Sequence, residues 1–66
     1  MSKLLNQLVS DYETNQIVEV LKTLSKKQND NLAEEVEYFL LTYPQGTGDD
    51  KLEDVLEILS AYYWEW

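Results

Sequence analysis

The 66-residue chain has no cysteine, no histidine and no arginine. Without cysteine it can form no disulfide, no thiolate zinc site and no sulfur nucleophile. Without histidine it lacks the commonest general base and metal ligand, and without arginine it lacks a bidentate phosphate clamp. Its serines have no histidine to activate them. These absences argue against an enzyme, and we expect no catalytic residue and no cofactor.

Long apolar runs, proline and glycine are also scarce. No stretch approaches the roughly 18 apolar residues of a membrane span, and "MSKLLNQLVSDY" is too broken for a signal-peptide core. A cytoplasmic protein is therefore expected. The one proline and both glycines fall in "PQGTGDD", residues 44–50, which is the clearest predicted loop.

Charge of one sign dominates the C-terminal part of the chain. Thirteen acids against five lysines give a net charge of -8. Residues 1–28 hold three acids and four lysines, a net of +1, whereas residues 29–66 hold ten acids and one lysine, a net of -9. Because phosphate contacts need cations, nucleic acid is a poor partner, and a basic protein suits this charge better.

Helical periodicity predicts one all-α domain, residues 1–66: a small antiparallel bundle of three main helices, with the option of a short extra N-terminal helix. The first apolar cluster comprises Leu4, Leu5, Leu8 and Val9. Ser10 and Glu13 then have capping-box spacing, which predicts a helix start at about residue 11 unless the first helix runs on. The apolar positions of that helix are Ile17, Val20, Leu21 and Leu24. Lys22, Lys26 and Lys27 would lie near its C-terminal end, where cations suit the dipole.

Two longer stripes of apolar residues follow the polar break "KKQNDN", residues 26–31. Asn29, Asp30 or Asn31 should cap the next helix, with Glu34 and Glu35 in its first turns. Its stripe consists of Leu32, Val36, Phe39 and Tyr43, and Pro44 should stop it. The last helix should start near Asp49 and carry the heptad-like seam Leu52, Val55, Leu59, Tyr62 and Trp66. We expect six residues of the two stripes to be buried together: Leu32, Val36, Phe39, Leu52, Val55 and Leu59.

Carboxylates on the last two helices form the strongest candidate site. Asp49, Glu53 and Glu57 make one i, i+4 column, and Asp50 and Asp54 make another beside it. The array is either a solvated face that keeps the protein soluble or a surface that meets a basic partner. No metal is expected, because "TGDDKLED" lacks the ligand spacing of a calcium loop.

The C-terminal "YYWEW" adds aromatic candidates. Tyr62 and Trp66 should continue the buried seam, or form the seam of a dimer, whereas Trp64 should project elsewhere and be at least partly exposed. Tyr and Trp are enriched among interface anchors. The predicted partner-binding residues are therefore Glu34, Glu35, Glu37, Asp49, Asp50, Glu53, Asp54, Glu57, Tyr63 and Trp64.

Two stretches resemble the immunity proteins of the nuclease colicins and pyocins. Ser10-Asp11-Tyr12 is similar to the start of that family's first helix, and "EEVEYFLLTYPQGTGDD" is similar to its acidic second helix, Pro-x-Gly turn and following aspartate. The resemblance implies a small acidic four-helix protein that neutralises a DNase toxin. Glu34, Glu35 and Glu37 would then lie on the specificity helix, with Asp49 or Asp50 after the turn. The chain departs from the family at "KLEDVLEIL", where the family has a short helix with two tyrosines that anchor the nuclease.

Two hypotheses of function follow. The first is a non-catalytic acidic protein that inhibits or sequesters a basic protein such as a nuclease. It could act as an immunity protein does, or as a nucleic-acid mimic in which carboxylates replace phosphates. The alternative is a small homo-oligomerisation or structural module, in which the C-terminal aromatic seam forms a homodimer and the acids confer solubility.

Overall fold

The computed structural model describes residues 2–64, and all regular structure in that range is helical. The helices are α1 (Lys3–Ser10), α2 (Ile17–Thr23), α3 (Lys26–Thr42) and α4 (Asp50–Trp64), and a 3-10 turn at Thr14–Gln16 leads into α2. The predicted all-α class is confirmed. Within residues 2–64, none of these helices has the length and apolar character needed to cross a bilayer.

The start of the second helix differs from the prediction. Ser10 is the last residue of α1, and its hydroxyl donates to the carbonyl of Asn6 at 2.7 Å. The backbone N–H of Glu13 donates instead to Oε1 of Gln16 at 2.9 Å and opens the 3-10 turn. The predicted cap at Ser10 is wrong, because α1 is still hydrogen-bonded at that residue and Ser10 cannot take the extended conformation of a cap.

Helix α3 begins earlier than predicted, and Ser25 is its cap. The backbone N–H of Gln28 donates to the Ser25 hydroxyl at 3.1 Å, and the Ser25 N–H donates to Oε1 of Gln28 at 3.0 Å. This reciprocal Ser-x-x-Gln pair satisfies two backbone donors, so the helix starts inside the polar run. Lys26 and Lys27 consequently lie in the first turn of α3 rather than at the end of α2. None of Asn29, Asp30 and Asn31 caps the helix, and Glu34 and Glu35 lie in its middle rather than in its first turns.

The loop between α3 and α4 has the predicted boundaries. Helix α3 ends at Thr42, before Pro44, as expected. Gly46 has φ 102° and Gly48 has φ 85°, a region in which only glycine is unstrained. Asp49 then caps α4, since its Oδ1 accepts from the backbone N–H of Leu52 at 3.1 Å.

The hydrophobic core forms where α1, α2 and α3 pack against α4. Its buried apolar members are Leu5, Leu8, Ile17, Leu21, Leu32, Val36, Leu52, Val55, Leu56 and Leu59. The joint burial of the two predicted stripes is confirmed for five of their residues, Leu32, Val36, Leu52, Val55 and Leu59. Phe39 is only half-buried and Tyr43 is exposed, so the α3 stripe leaves the core at its C-terminal end.

The α4 seam follows the helical repeat rather than a heptad. Tyr62 was expected inside but is 37% exposed, whereas Tyr63 is half-buried and packs against the core. At about 100° per residue, Tyr63 lies roughly 20° from Leu52 around the helix, and Tyr62 roughly 80° from it. Along a straight helix, the side-chain directions drift away from an exact heptad repeat. Near the end of α4, this drift turns Tyr63 towards the core and Tyr62 away from it. Trp66 lies outside the described residues.

A truncation in this core should be costly. Leu59 is fully buried, so Leu59→Ala should lower the free energy of unfolding by about 2–5 kcal/mol. That loss is comparable to the whole stability of a domain below about 70–80 residues. Urea titration followed by circular dichroism measures it. Leu41→Ala is the matched control, since Leu41 is 75% exposed and should change the value by less than about 0.5 kcal/mol. Equal effects of the two truncations would contradict this core.

Candidate functional site

Three neighbouring depressions on α3 and α4 share residues and therefore form one continuous surface. We call it the α3–α4 face; its lining residues are Glu34, Glu37, Tyr38, Leu40, Leu41, Glu53, Leu56, Glu57, Ser60 and Trp64. Leu40 belongs both to the depression over Leu56 and to the one beside Trp64, so it joins the two helices. Four of the predicted partner-binding carboxylates and Trp64 lie on this face.

Exposed carboxylates flank the face on both helices. Glu34 and Glu37 stand on α3 and Glu57 stands on α4, and all three are exposed. In the part of the chain that the structure describes, no lysine lines any of the three depressions. The lysine of α4, Lys51, is directed to the opposite side, where its Nζ donates to the carbonyl of Tyr12 at 2.8 Å. The charged side chains that line the three depressions are therefore all acidic.

Three other predicted carboxylates are engaged in the fold. Glu35 is half-buried and accepts from the backbone N–H of Ser2 at 2.9 Å and from the Ser2 hydroxyl at 2.8 Å, which ties α3 to the start of α1. Asp49 caps α4. Glu53 is half-buried beside the glycine loop, where Thr47 Oγ1 lies 3.4 Å from its Oε2. These hydrogen bonds already give Glu35 and Asp49 a structural role.

The remaining two carboxylates lie away from the centre of the face. Asp50 is exposed in the first turn of α4, where a negative charge suits the helix dipole. Asp54 lines a separate depression with Thr14, Ile58 and Ala61, on the flank of α4 that faces the 3-10 turn. Glu57 borders both surfaces. The structure thus divides the predicted acidic array between two sides of α4.

Exposed apolar side chains occupy the middle of the face. Leu41 is 75% exposed, Leu40 is 47% exposed and Trp64 is 43% exposed. The predicted exposure of Trp64 is confirmed. The two leucines were not among the predicted site residues, although the sequence carries a signal for them. At about 100° per residue, Leu41 lies roughly 180° from Leu32 around α3, so it cannot share the buried stripe.

Tyr63, also a predicted partner-binding residue, is joined to the fold. Its hydroxyl donates to Oδ1 of Asn29 at 2.7 Å, which links the end of α4 to the start of α3. Burial disfavours the phenolate and raises the pKa of Tyr63 to about 12, with smaller contributions from Tyr62 and Asp30. Its ring makes an edge contact with Trp64, with 6.2 Å between the ring centroids. The half-buried ring of Tyr63 therefore packs against the exposed indole of Trp64.

The chemistry available on this face is binding by charge and by apolar contact. Its carboxylates can accept hydrogen bonds from lysine or arginine, and its leucines and indole can cover apolar side chains. Among residues 2–64, no three acidic side chains converge closely enough to hold a metal ion.

Comparison of the chain with protein-family models, with curated proteins and with solved structures gave no match. The resemblance to nuclease immunity proteins therefore stays a prediction that rests on the motifs within residues 10–50.

The Tyr63 contact predicts a specific dependence on alkaline pH. A pKa raised above the ordinary 10 means that the fold favours the neutral phenol. Its stabilising contribution should be complete below about pH 10 and should be lost as the pH rises towards 12. Tyr63→Phe should cost about 0.5–1.5 kcal/mol at neutral pH through the lost hydrogen bond. The variant should then lose less further stability than the parent between pH 10 and 12.

Urea titrations of both proteins across this pH interval measure the difference. Tyr38→Phe serves as the control at neutral pH, because the Tyr38 ring is well exposed and its loss of a hydroxyl should leave stability unchanged. A parent and a Tyr63→Phe variant with parallel stability curves above pH 10 would contradict the assignment.

Proposed function

We propose that this chain is a non-catalytic cytoplasmic protein that binds a basic protein and inhibits or sequesters it through the α3–α4 face. The observation that carries the proposal is the pattern of that face, in which Glu34, Glu37 and Glu57 surround exposed leucines and an exposed tryptophan. Complementary charge selects partners and speeds their encounter. An apolar centre with a polar rim is the usual anatomy of a protein–protein interface.

The proposal includes an antiparallel arrangement of α3 and α4 in the bundle. It is supported by contacts at both ends of the pair. Asn29, near the start of α3, accepts from Tyr63 near the end of α4, and Leu40, near the end of α3, shares a depression with Glu53 and Leu56 of α4. Two long helices side by side offer a broad surface from a very small domain.

A nuclease is the proposed class of partner. Nucleases bind a polyanion and so present cations, which the carboxylates of the α3–α4 face would meet. The motifs shared with nuclease immunity proteins support the same class. Inhibition could occur beside the catalytic groove or, in a nucleic-acid mimic, inside it, and DNA would compete with the chain only in the second case.

One observation favours the alternative hypothesis of a homo-oligomer. Leu40, Leu41 and Trp64 are exposed side by side, and contiguous exposed apolar patches often mark contacts between subunits. Sedimentation velocity at micromolar concentration distinguishes the two hypotheses. The inhibitor hypothesis expects a monomer, and a stable dimer would favour the structural module.

Reversal of the exposed charges should abolish binding. We expect the triple variant Glu34→Lys, Glu37→Lys, Glu57→Lys to lose its affinity for basic nucleases while it keeps its helical circular dichroism, because these carboxylates are exposed. The matched control, Asp11→Lys, Glu19→Lys, Asp30→Lys, makes the same change in net charge at exposed positions in the N-terminal half. It should retain most of the affinity.

The measurement is titration calorimetry and nuclease inhibition against a panel of basic nucleases. Association of the parent should slow between low and physiological ionic strength, because exposed charges are screened over about 8–10 Å. If the parent binds none of the panel, or if both triple variants bind as well as the parent, the acidic face serves solubility and the proposal fails.

A further inference from the structure

We infer that the α3–α4 face binds an amphipathic, lysine- or arginine-rich α-helix whose apolar stripe lies against Leu40, Leu41 and Trp64. The inference rests on the proposed function and adds the form of the partner's binding segment. The inferred contact depends on more than the attraction between opposite charges. It gives the apolar side chains of the face a role, which a protein that only mimics phosphates would not need.

The apolar part of the face has the dimensions of a short helix contact. Leu56 forms the floor of one depression, Leu40 joins it to the next, and Trp64 closes the far side. Along α4, the distance from residue 56 to residue 64 is about 12 Å at 1.5 Å per residue. Helices that dock in grooves present anchors at i, i+4 and i+7, which span about 10 Å of the same rise.

The charged residues beside this apolar strip determine which residues the partner helix should have on either side of its own apolar stripe. Glu34 and Glu37 border the strip on α3, and Glu53 and Glu57 border it on α4. A helix that lies between them brings its flanking positions close to carboxylates on both sides. Cations are favoured at those positions and anions are excluded, since like charges across an interface are strongly disfavoured.

These four carboxylates, which we call the acidic rim, also disfavour two other occupants of the face. A second copy of this chain, placed across a two-fold axis, would set the carboxylates of the face against their own counterparts. A membrane surface carries anionic lipid headgroups and would be repelled in the same way. A cationic amphipathic helix is the occupant that satisfies both the apolar strip and the acidic rim.

The test uses Trp64 as the reporter. The chain holds two tryptophans, so Trp66→Phe leaves Trp64 as the only indole. This protein is titrated with a synthetic peptide of about four helical turns that has leucines at i, i+4 and i+7 and lysines elsewhere. The control peptide has the same composition but scattered leucines. We expect the striped peptide to shift Trp64 emission to the blue and to bind at least tenfold more tightly than the control.

Variants of the protein separate apolar contact from charge. Leu41→Ser removes an exposed anchor without a change in charge, and it should weaken the striped peptide about tenfold while it leaves the scattered peptide unaffected. Val18→Ser is the matched control, because Val18 is an exposed apolar residue on α2, outside the face. It should bind both peptides as the parent does. Circular dichroism checks that each variant keeps its helices.

Equal binding of the two peptides, no effect of Leu41→Ser, or no binding of the striped peptide would each overturn the inference. A blue shift that depends on protein concentration without peptide would overturn it too, since a second copy would then occupy the face. None of these results removes the binding of basic nucleases, which the charge-reversal experiment decides separately. Loss of nuclease binding in both triple variants would instead show that nuclease binding follows the total charge of the protein. The peptide titrations would then decide this inference by themselves.

Discussion

The packing of α1, α2 and α3 against the single helix α4 is the contact on which the rest of the structure depends. Val55 and Leu59 are fully buried, and they belong to one hydrophobic cluster with the buried side chains of the other three helices. A chain of this size buries only about 60% of its unfolded surface, and this one has no disulfide to add. Helix α4 therefore packs against all three other helices in one core. The outer side of its contact with α3 is exposed to solvent.

The helix ends that could be predicted are those set by covalent or local constraints. Proline restricts the residue before it, and an aspartate at the start of an apolar seam can cap it, so Pro44 and Asp49 marked the loop correctly. Ser10 and Ser25 both begin a capping-box pattern, and only Ser25 uses it. The choice depends on whether the preceding helix has already ended: α1 continues through Ser10, whereas α2 ends at Thr23, before Ser25. Local spacing does not contain that information.

The candidate site shows the same division between local and long-range information. The acidic character of α3 and α4 and the exposure of Trp64 follow from composition and helical spacing. Glu34 and Glu35 are neighbours of the same type, yet only Glu35 bonds to Ser2, more than thirty positions away. Tyr62 and Tyr63 are likewise adjacent and identical, and the departure of α4 from a heptad decides which of them reaches Asn29. Such distinctions depend on partners that only the folded chain supplies.

In the proposed function, solubility and recognition would both follow from the acidic rim, so they need not be competing explanations of it. Exposed leucines such as Leu41 would favour self-association, and net charge of one sign around them keeps copies apart. The same charge attracts a cationic partner and raises the rate of encounter, while the rate of dissociation depends mainly on well-packed apolar anchors. In the proposed complex, the carboxylates would therefore set how fast the partner is found, and Leu40, Leu41 and Trp64 would set how long it stays. A protein with this division could meet a nuclease quickly at low concentration without aggregating while it is free.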